Sequence, residues 1–467
     1  MSTRITDSPF YQHLWGTAEA RDLLGEEGRL RCWLDVIVAL ARAQAATGVI
    51  PSEAARLIAS YARPEHLDVE YAAEQTRQTS HSMLGLIRAL QRAMPEEARQ
   101  YVYTGATVQD ITDTATALTL RRFGGIVWRD LRVLEGQLLE LAVAHRATVM
   151  AGRTHGQPGS PVTFGWKAAS WADEVRRHLD RLREGAPRWL VGQLGGGTGS
   201  LVFYGSLGLE VRARFCASLG LADPGISWLT ARDRFAEFAS LLALICGTLA
   251  RIGGEVYELQ RPEIGELAEA APAGTVGSIT MPHKRNPEAS EQLDTLARLV
   301  RANAAVMTEA VVQQHERDGR GWKAEWVALP EACLLAAAAL EMARGLLAGL
   351  SVDPEAMRRN LTRHGGYPVS ERALGLLAAR LGARRAQELL QEAFGAGVAG
   401  VGGVGRGGAA DPSGLSAERV LVDAGLFSAA EARELTAEPD AGSCQVMTDL
   451  VVERARAARA AEPEEWP

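Results

Sequence analysis

Apolar residues recur along this chain with the period of a helix. From Phe235 they fall at Phe238, Leu242, Ile245, Leu249, Ile252, Val256 and Leu259. Steps of three and four alternate, which puts all of them on one stripe of a long helix. The alternation averages close to a heptad, so partner helices are expected to pack almost parallel to it. Val127, Leu131, Leu134, Leu138 and Leu141 repeat the pattern. A third such segment runs from Phe164 to Leu182 after Pro161, and a fourth from Glu288 to about Val312. Long apolar stripes on several helices predict an all-α protein built on an extended bundle, and an oligomer in which the stripes continue across subunits. No segment alternates as a sheet strand does, which leaves room only for a short β element near the loops.

Three stretches interrupt the helical pattern. Gly105–Asp110 is rich in turn formers, Ser351–Pro354 ends the central block, and Gly395–Gly408 reads GAGVAGVGGVGRGG. The last is too glycine-rich to hold a helix and is expected to be a flexible connection or an unusual loop, followed by a helical tail. These breaks predict an N-terminal helical domain over residues 1–110, a central long-helix domain over 111–354 and a C-terminal helical domain over 355–467.

Composition narrows the class. The chain has 467 residues, 47% hydrophobic and 23% charged, with a net charge of −7. Charges of both signs are interspersed, so neither nucleic acid nor a membrane surface is the expected partner. The N-terminal sequence lacks the apolar core of a signal peptide, and charges break the apolar stretches before membrane-spanning length. Cys32, Cys216, Cys246, Cys333 and Cys444 are odd in number and far apart, with no CxxC. A disulfide framework or zinc site is therefore not expected, and a reducing cytoplasm fits best.

The candidate chemistry is concentrated in Gly277-Ser278-Ile279-Thr280-Met281-Pro282-His283-Lys284-Arg285-Asn286-Pro287. Two prolines and a glycine bar a regular helix here, so the stretch should be a loop feeding the helix that starts near Glu288. It offers a hydroxyl, an ammonium and an amide within a few residues, groups that suit a site for a dicarboxylate and a proton transfer. A plain polar surface loop accounts for the same residues equally well on chemistry alone.

This stretch resembles the GSSxMPxKxNP signature of the fumarase/aspartase superfamily, departing from it at Ile279, where a second serine is usual. That superfamily includes fumarase, aspartase, argininosuccinate lyase, adenylosuccinate lyase and 3-carboxy-cis,cis-muconate cycloisomerase. Tyr103-Thr104-Gly105-Ala106-Thr107-Val108-Gln109-Asp110 resembles its GxTSxD block, with Val108 in place of the usual serine. Gly152-Arg153-Thr154-His155-Gly156-Gln157-Pro158 resembles its GRTH block, and Thr79-Ser80-His81-Ser82 its TSHD-type segment. The resemblance implies a three-domain helical fold whose central domains form a twenty-helix core in a homotetramer, with each site shared by three subunits. It implies Ser278 as catalytic base, acting as an alkoxide, and His155 with His81 as proton donors. Thr107, Thr154, Gln109, Tyr103, Met281, Lys284 and Asn286 would hold the dicarboxylate substrate, and Arg320 is a candidate for the far end of it. No metal or organic cofactor is implied. Of the other histidines, His283 would shape its loop, and His13, His66, His145, His178 and His364 have no motif around them and are read as surface or structural.

Two features bear on the subfamily. Gln314-His315-Glu316-Arg317-Asp318 followed by Trp322-Lys323-Ala324-Glu325-Trp326 resembles the HERS…WHAEW segment of bacterial carboxymuconate cycloisomerases. The position where adenylosuccinate lyases hold the nucleotide phosphate with arginine is Trp326. Conversely, His155 and Ser370-Glu371-Arg372 look more like the lyases. The expected activity is therefore elimination from a substituted succinate with release of fumarate, by C–N cleavage as in nitrosuccinate lyases, which look similar to this hybrid pattern. Carboxymuconate cycloisomerase and adenylosuccinate lyase are the alternatives, and a catalytically silent relative is the bland one.

Overall fold

The computed structural model describes residues 3–271, 274–363, 369–400, 416–437 and 439–466. Five long helices run through its centre: α4 (Val108–Ala144), α5 (Phe164–Trp189), α6 (Asp233–Leu259), α7 (Glu288–Glu309) and α8 (Gly319–Ala348). Before them come α1 (Glu26–Ala46), α2 (Val69–Thr79) and α3 (Leu84–Ala93). Every residue of the stripe from Phe235 to Leu259 is buried, and Val127, Leu131, Leu134 and Leu138 are fully so. The three-and-four spacing thus became the seam along which α4, α5, α6, α7 and α8 pack.

Buried apolar residues form three clusters. One fills the central helices, one joins α1, α3 and the first turns of α4 to Leu194–Leu221, and one lies between Ala373 and Leu435. The tail helix α10 (Cys444–Ala461) returns to the centre, where Val452 and Ala455 pack into the first cluster against α5 and α4.

Several expectations need correction. Helices α6 and α8 do contain 18-residue windows apolar enough to cross a membrane, with 61% and 67% of each window buried, so their apolarity serves the bundle core. The short β elements for which the loops left room are β1 (Val149–Thr154), antiparallel to β2 (Gln157–Thr163), and β3 (Leu267–Ala268), antiparallel to β4 (Ser351–Val352). Pro158 and Pro161 hide β2 from a sequence reading, yet a two-stranded ribbon has free edges where proline costs no ladder bond. Helix α9 (Ala383–Gly400) runs into the glycine-rich stretch. Extending an existing helix fixes one residue at a time, which is far less costly than starting one among glycines. His364 and residues 401–408 lie outside the described residues. All five cysteines are buried and unpaired.

Candidate active site

The signature loop is stapled at its base. Glu269 caps α7 by accepting from the backbone N–H of Ala289 (3.1 Å) and Ser290 (2.9 Å) and from the Ser290 hydroxyl (2.6 Å). Asn286 Nδ2 donates to the carbonyl of Gly277 (2.9 Å), joining the two ends of the motif. A methyl group on Gly277 would sit 2.3 Å from the Lys284 carbonyl oxygen, so only glycine lets the strands of the loop approach this closely. Within the loop the Met281 N–H donates to Ser278 Oγ (3.0 Å). A donor aimed at that oxygen favours its ionised form. The side chains of Lys284, Met281 and His283 are exposed, and Ile279 is 95% exposed.

The Thr107 block forms the mouth of α4. Thr107 is its N-cap, and Asp110 closes a capping box by accepting from the Thr107 N–H (2.9 Å). Asp110 is wholly buried and also accepts from the N–H groups of Gly195 (2.8 Å) and Gly196 (2.9 Å), which ties the LGGGTGS run (194–200) to the helix start. Burial pushes its carboxyl up to about 7, against the pull of those N–H donors. Arg317 Nη1 donates to Thr107 Oγ1 (2.6 Å), and its guanidinium stacks 5.6 Å from the Trp322 ring. Burial raises the Tyr103 phenol well above its ordinary value, and its hydroxyl bonds to Thr107. A helix N-terminus beside a guanidinium is a ready place for a carboxylate.

Two sequence candidates are otherwise engaged. Gln109 is fully buried and donates to the Leu229 carbonyl (2.6 Å), out of reach of a ligand. Arg320 is spent on Asp318, through Nε (3.0 Å) and Nη2 (2.5 Å), and holds that carboxyl well below the usual range. The arginine that bonds Thr107 is Arg317, three residues earlier. It belongs to the QHERD run and lies just before α8 begins at Gly319.

His155 and His81 occupy different settings. His155 and Gly156 form the two-residue turn of the β1–β2 hairpin, with φ of 53° and 76°, the sense that a tight hairpin turn requires. Thr154 and His155 are exposed at the tip, while Arg153 anchors the strand by a double bond to the buried Glu266 (2.9 and 2.6 Å). His81 Nδ1 accepts from the N–H groups of Leu84 (3.1 Å) and Met83 (3.4 Å) at the start of α3. In the neutral ring this leaves the proton on Nε2.

Among the described residues, no hydrogen bond joins Ser278, His155, His81 and Thr107 to one another. Among the described residues, five non-glycine residues have positive φ: Ser80, Tyr103, His155, Leu201 and His315. Ser80, Tyr103 and His155 fall in the segments of His81, Thr107 and His155, His315 in the QHERD run, and Leu201 just after the LGGGTGS run. Such conformations are costly and gather where function requires them.

A family model described as a lyase matches residues 7–302. N-acetyl-S-(2-succino)cysteine lyase of Dickeya dadantii is 43% identical over 84% of this chain and 86% of its own length. 3-carboxy-cis,cis-muconate cycloisomerase of Pseudomonas aeruginosa is 42% identical over 80% of this chain and 82% of its own. The crystal structure of the 3-carboxy-cis,cis-muconate lactonizing enzyme of Pseudomonas putida superposes with a TM-score of 0.86 at 33% identity, covering 96% of this chain and 99% of that one. With its long-helix core, its stapled signature loop and relatives that match over most of their length, this chain belongs to the fumarase/aspartase superfamily of lyases.

Proposed function

We propose that the chain eliminates a heteroatom group from a substituted succinate and releases fumarate. The observation that carries this reading is the Met281 N–H aimed at Ser278 Oγ, inside a loop that also displays Lys284. Ser278, as its alkoxide, removes a proton from the carbon beside a carboxylate. That electron pair becomes the new double bond as the bond to the leaving atom breaks. His155 or the Nε2–H of His81 supplies the proton that the leaving group takes. Lys284, Arg317 and the Thr107 end of α4 neutralise charge that spreads into the carboxylate.

The leaving atom is first assigned as sulfur, because the Dickeya relative carries a succinylated thioether in its name. Eliminating such a thioether yields fumarate and a free thiol. Cleavage of a carbon–nitrogen bond, as in nitrosuccinate or a succinyl amine, uses the same residues and is tested beside it. The second reading is cycloisomerisation of carboxymuconate, favoured by the Pseudomonas relatives and the QHERD…WKAEW run. The exposed tip at His155 fits a homotetramer in which neighbouring subunits complete each site.

Fumarate formation with N-acetyl-S-(2-succino)cysteine, nitrosuccinate, adenylosuccinate and argininosuccinate decides between these. Ser278→Ala is expected to lower kcat by about 100- to 10,000-fold with the true substrate. Consumption of carboxymuconate with no fumarate from any succinate would move the assignment to the cycloisomerase.

A further inference from the structure

Beside the Thr107 block lies a cavity of about 330 Å³ between α1, α2, α4 and α8. Its wall includes Trp33, Trp322 and Trp326, and Ser82, the neighbour of His81. Side-chain contacts link its wall to the site: Arg317 bonds Thr107 and stacks on Trp322, whose ring meets that of Trp326 edge-on at 4.8 Å. At its floor, Asp113 and Glu325 share a single buried guanidinium, Arg232, at 2.5–3.0 Å. One cation between two carboxylates leaves the floor with no positive charge to spare. A phosphate would be repelled there, and the volume is at the small end of the roughly 300–1,000 Å³ typical of ligand pockets.

The polar groups of the wall have a particular sense. Thr112 and Thr116 spend their hydroxyl protons on carbonyls one turn back in α4, at 3.2 and 2.9 Å. Their oxygens can therefore only accept. Ser82 has no hydrogen-bond partner among the described residues. Arg29, half exposed and held by a 3.4 Å pair with Glu26 and a 3.5 Å bond to the Leu24 carbonyl, is the basic residue of the wall among the described residues.

Resting on the elimination reading above, we infer that this cavity selects the leaving group: a small N-acylated amino acid. Its amide N–H would meet the Thr112 or Thr116 oxygen, its acyl group the tryptophan rings, and its carboxylate Arg29. The cavity would thus favour an acylated thioether over a nucleotide.

Two substrates that share the succinyl half separate the possibilities: N-acetyl-S-(2-succino)cysteine and 2-(methylthio)succinate. Trp326→Ala and Thr112→Val are each expected to lower the ratio of their kcat/KM values by about 10-fold or more, toward the smaller compound. Trp326 is partly exposed, and Val matches the shape of Thr, so both variants should fold. Equal losses with both substrates, or an unchanged ratio, would overturn the inference. If the wild type releases fumarate from neither compound, the thioether reading fails by itself. The pocket is then judged by tryptophan fluorescence on titration with N-acetylcysteine. Quenching that Trp326→Ala removes supports it, and absence of binding rejects it.

Discussion

His81 does two things at once, and they can be separated. Its Nδ1 accepts two backbone N–H groups at the start of α3, a capping role that an asparagine oxygen at the same branch point fills equally well. Its Nε2 carries the proton that faces outward. His81→Ala is expected to cost about 1 kcal/mol of stability through the lost cap. His81→Asn should restore the denaturation midpoint without restoring turnover. Recovery of both together would show that His81 is only a cap. The same scale explains a limit of sequence reading. Ser278, Lys284 and Thr107 were found because their motifs are long. Arg320 was named for the far end of the substrate, and nothing in QHERDGR marks that Asp318 binds its guanidinium. Gln109 was named from its place in the Thr107 block, and in the structure its buried amide donates to the Leu229 carbonyl.

At the scale of elements, the signature loop and the hairpin carry chemistry on backbone that is neither helix nor core. The loop keeps its shape through one close approach, Gly277 against the Lys284 carbonyl. Gly277→Ala should push the two apart by an ångström or so and reduce kcat/KM by about 100-fold. The loop contributes no core residue, so the unfolding midpoint should barely move. A midpoint that falls in step with activity would mean that the loop is structural instead. Helices were legible because their period is written in the apolar residues. The hairpin was not, because GRTHGQPGSP has no alternation and its turn forces a histidine to φ 53°. A residue in that conformation is placed there by the strands on either side, which the sequence does not display.

For the molecule as a whole, polar ties between long helices set its response to pH. His178 on α5 is buried, and its Nε2 bonds to Thr248 on α6 (2.8 Å), whose hydroxyl donates to Glu174 (2.6 Å). Burial, aided by Arg181, holds its pKa at about 4, below an ordinary value of 6.5. The native state therefore binds fewer protons than the unfolded chain between those values. Its contribution is intact above pH 6.5 and is lost as pH falls to 4, by roughly 3 kcal/mol in total. His178→Gln should flatten the fall in urea midpoint over that interval. Parallel curves for the two proteins would assign the acid sensitivity to other groups. Reading His178 as structural needed only the absence of a motif. Its partner on α6 lies 70 residues away and emerged only from packing.

The sequence by itself determined the helical class, the register of the buried stripes and the superfamily. Each of these depends on local order: a period of three and four, or eleven residues in a fixed pattern. The tertiary structure decided which polar groups are free to meet a substrate. Leu229 takes Gln109, and Asp113 with Glu325 takes Arg232, each through contacts between distant parts of the chain, while Asp318 takes Arg320 two residues away. It also put three tryptophans around one cavity. Hydrogen bonds and cavities depend on three-dimensional neighbours, and a periodic pattern fixes only the face on which a residue lies.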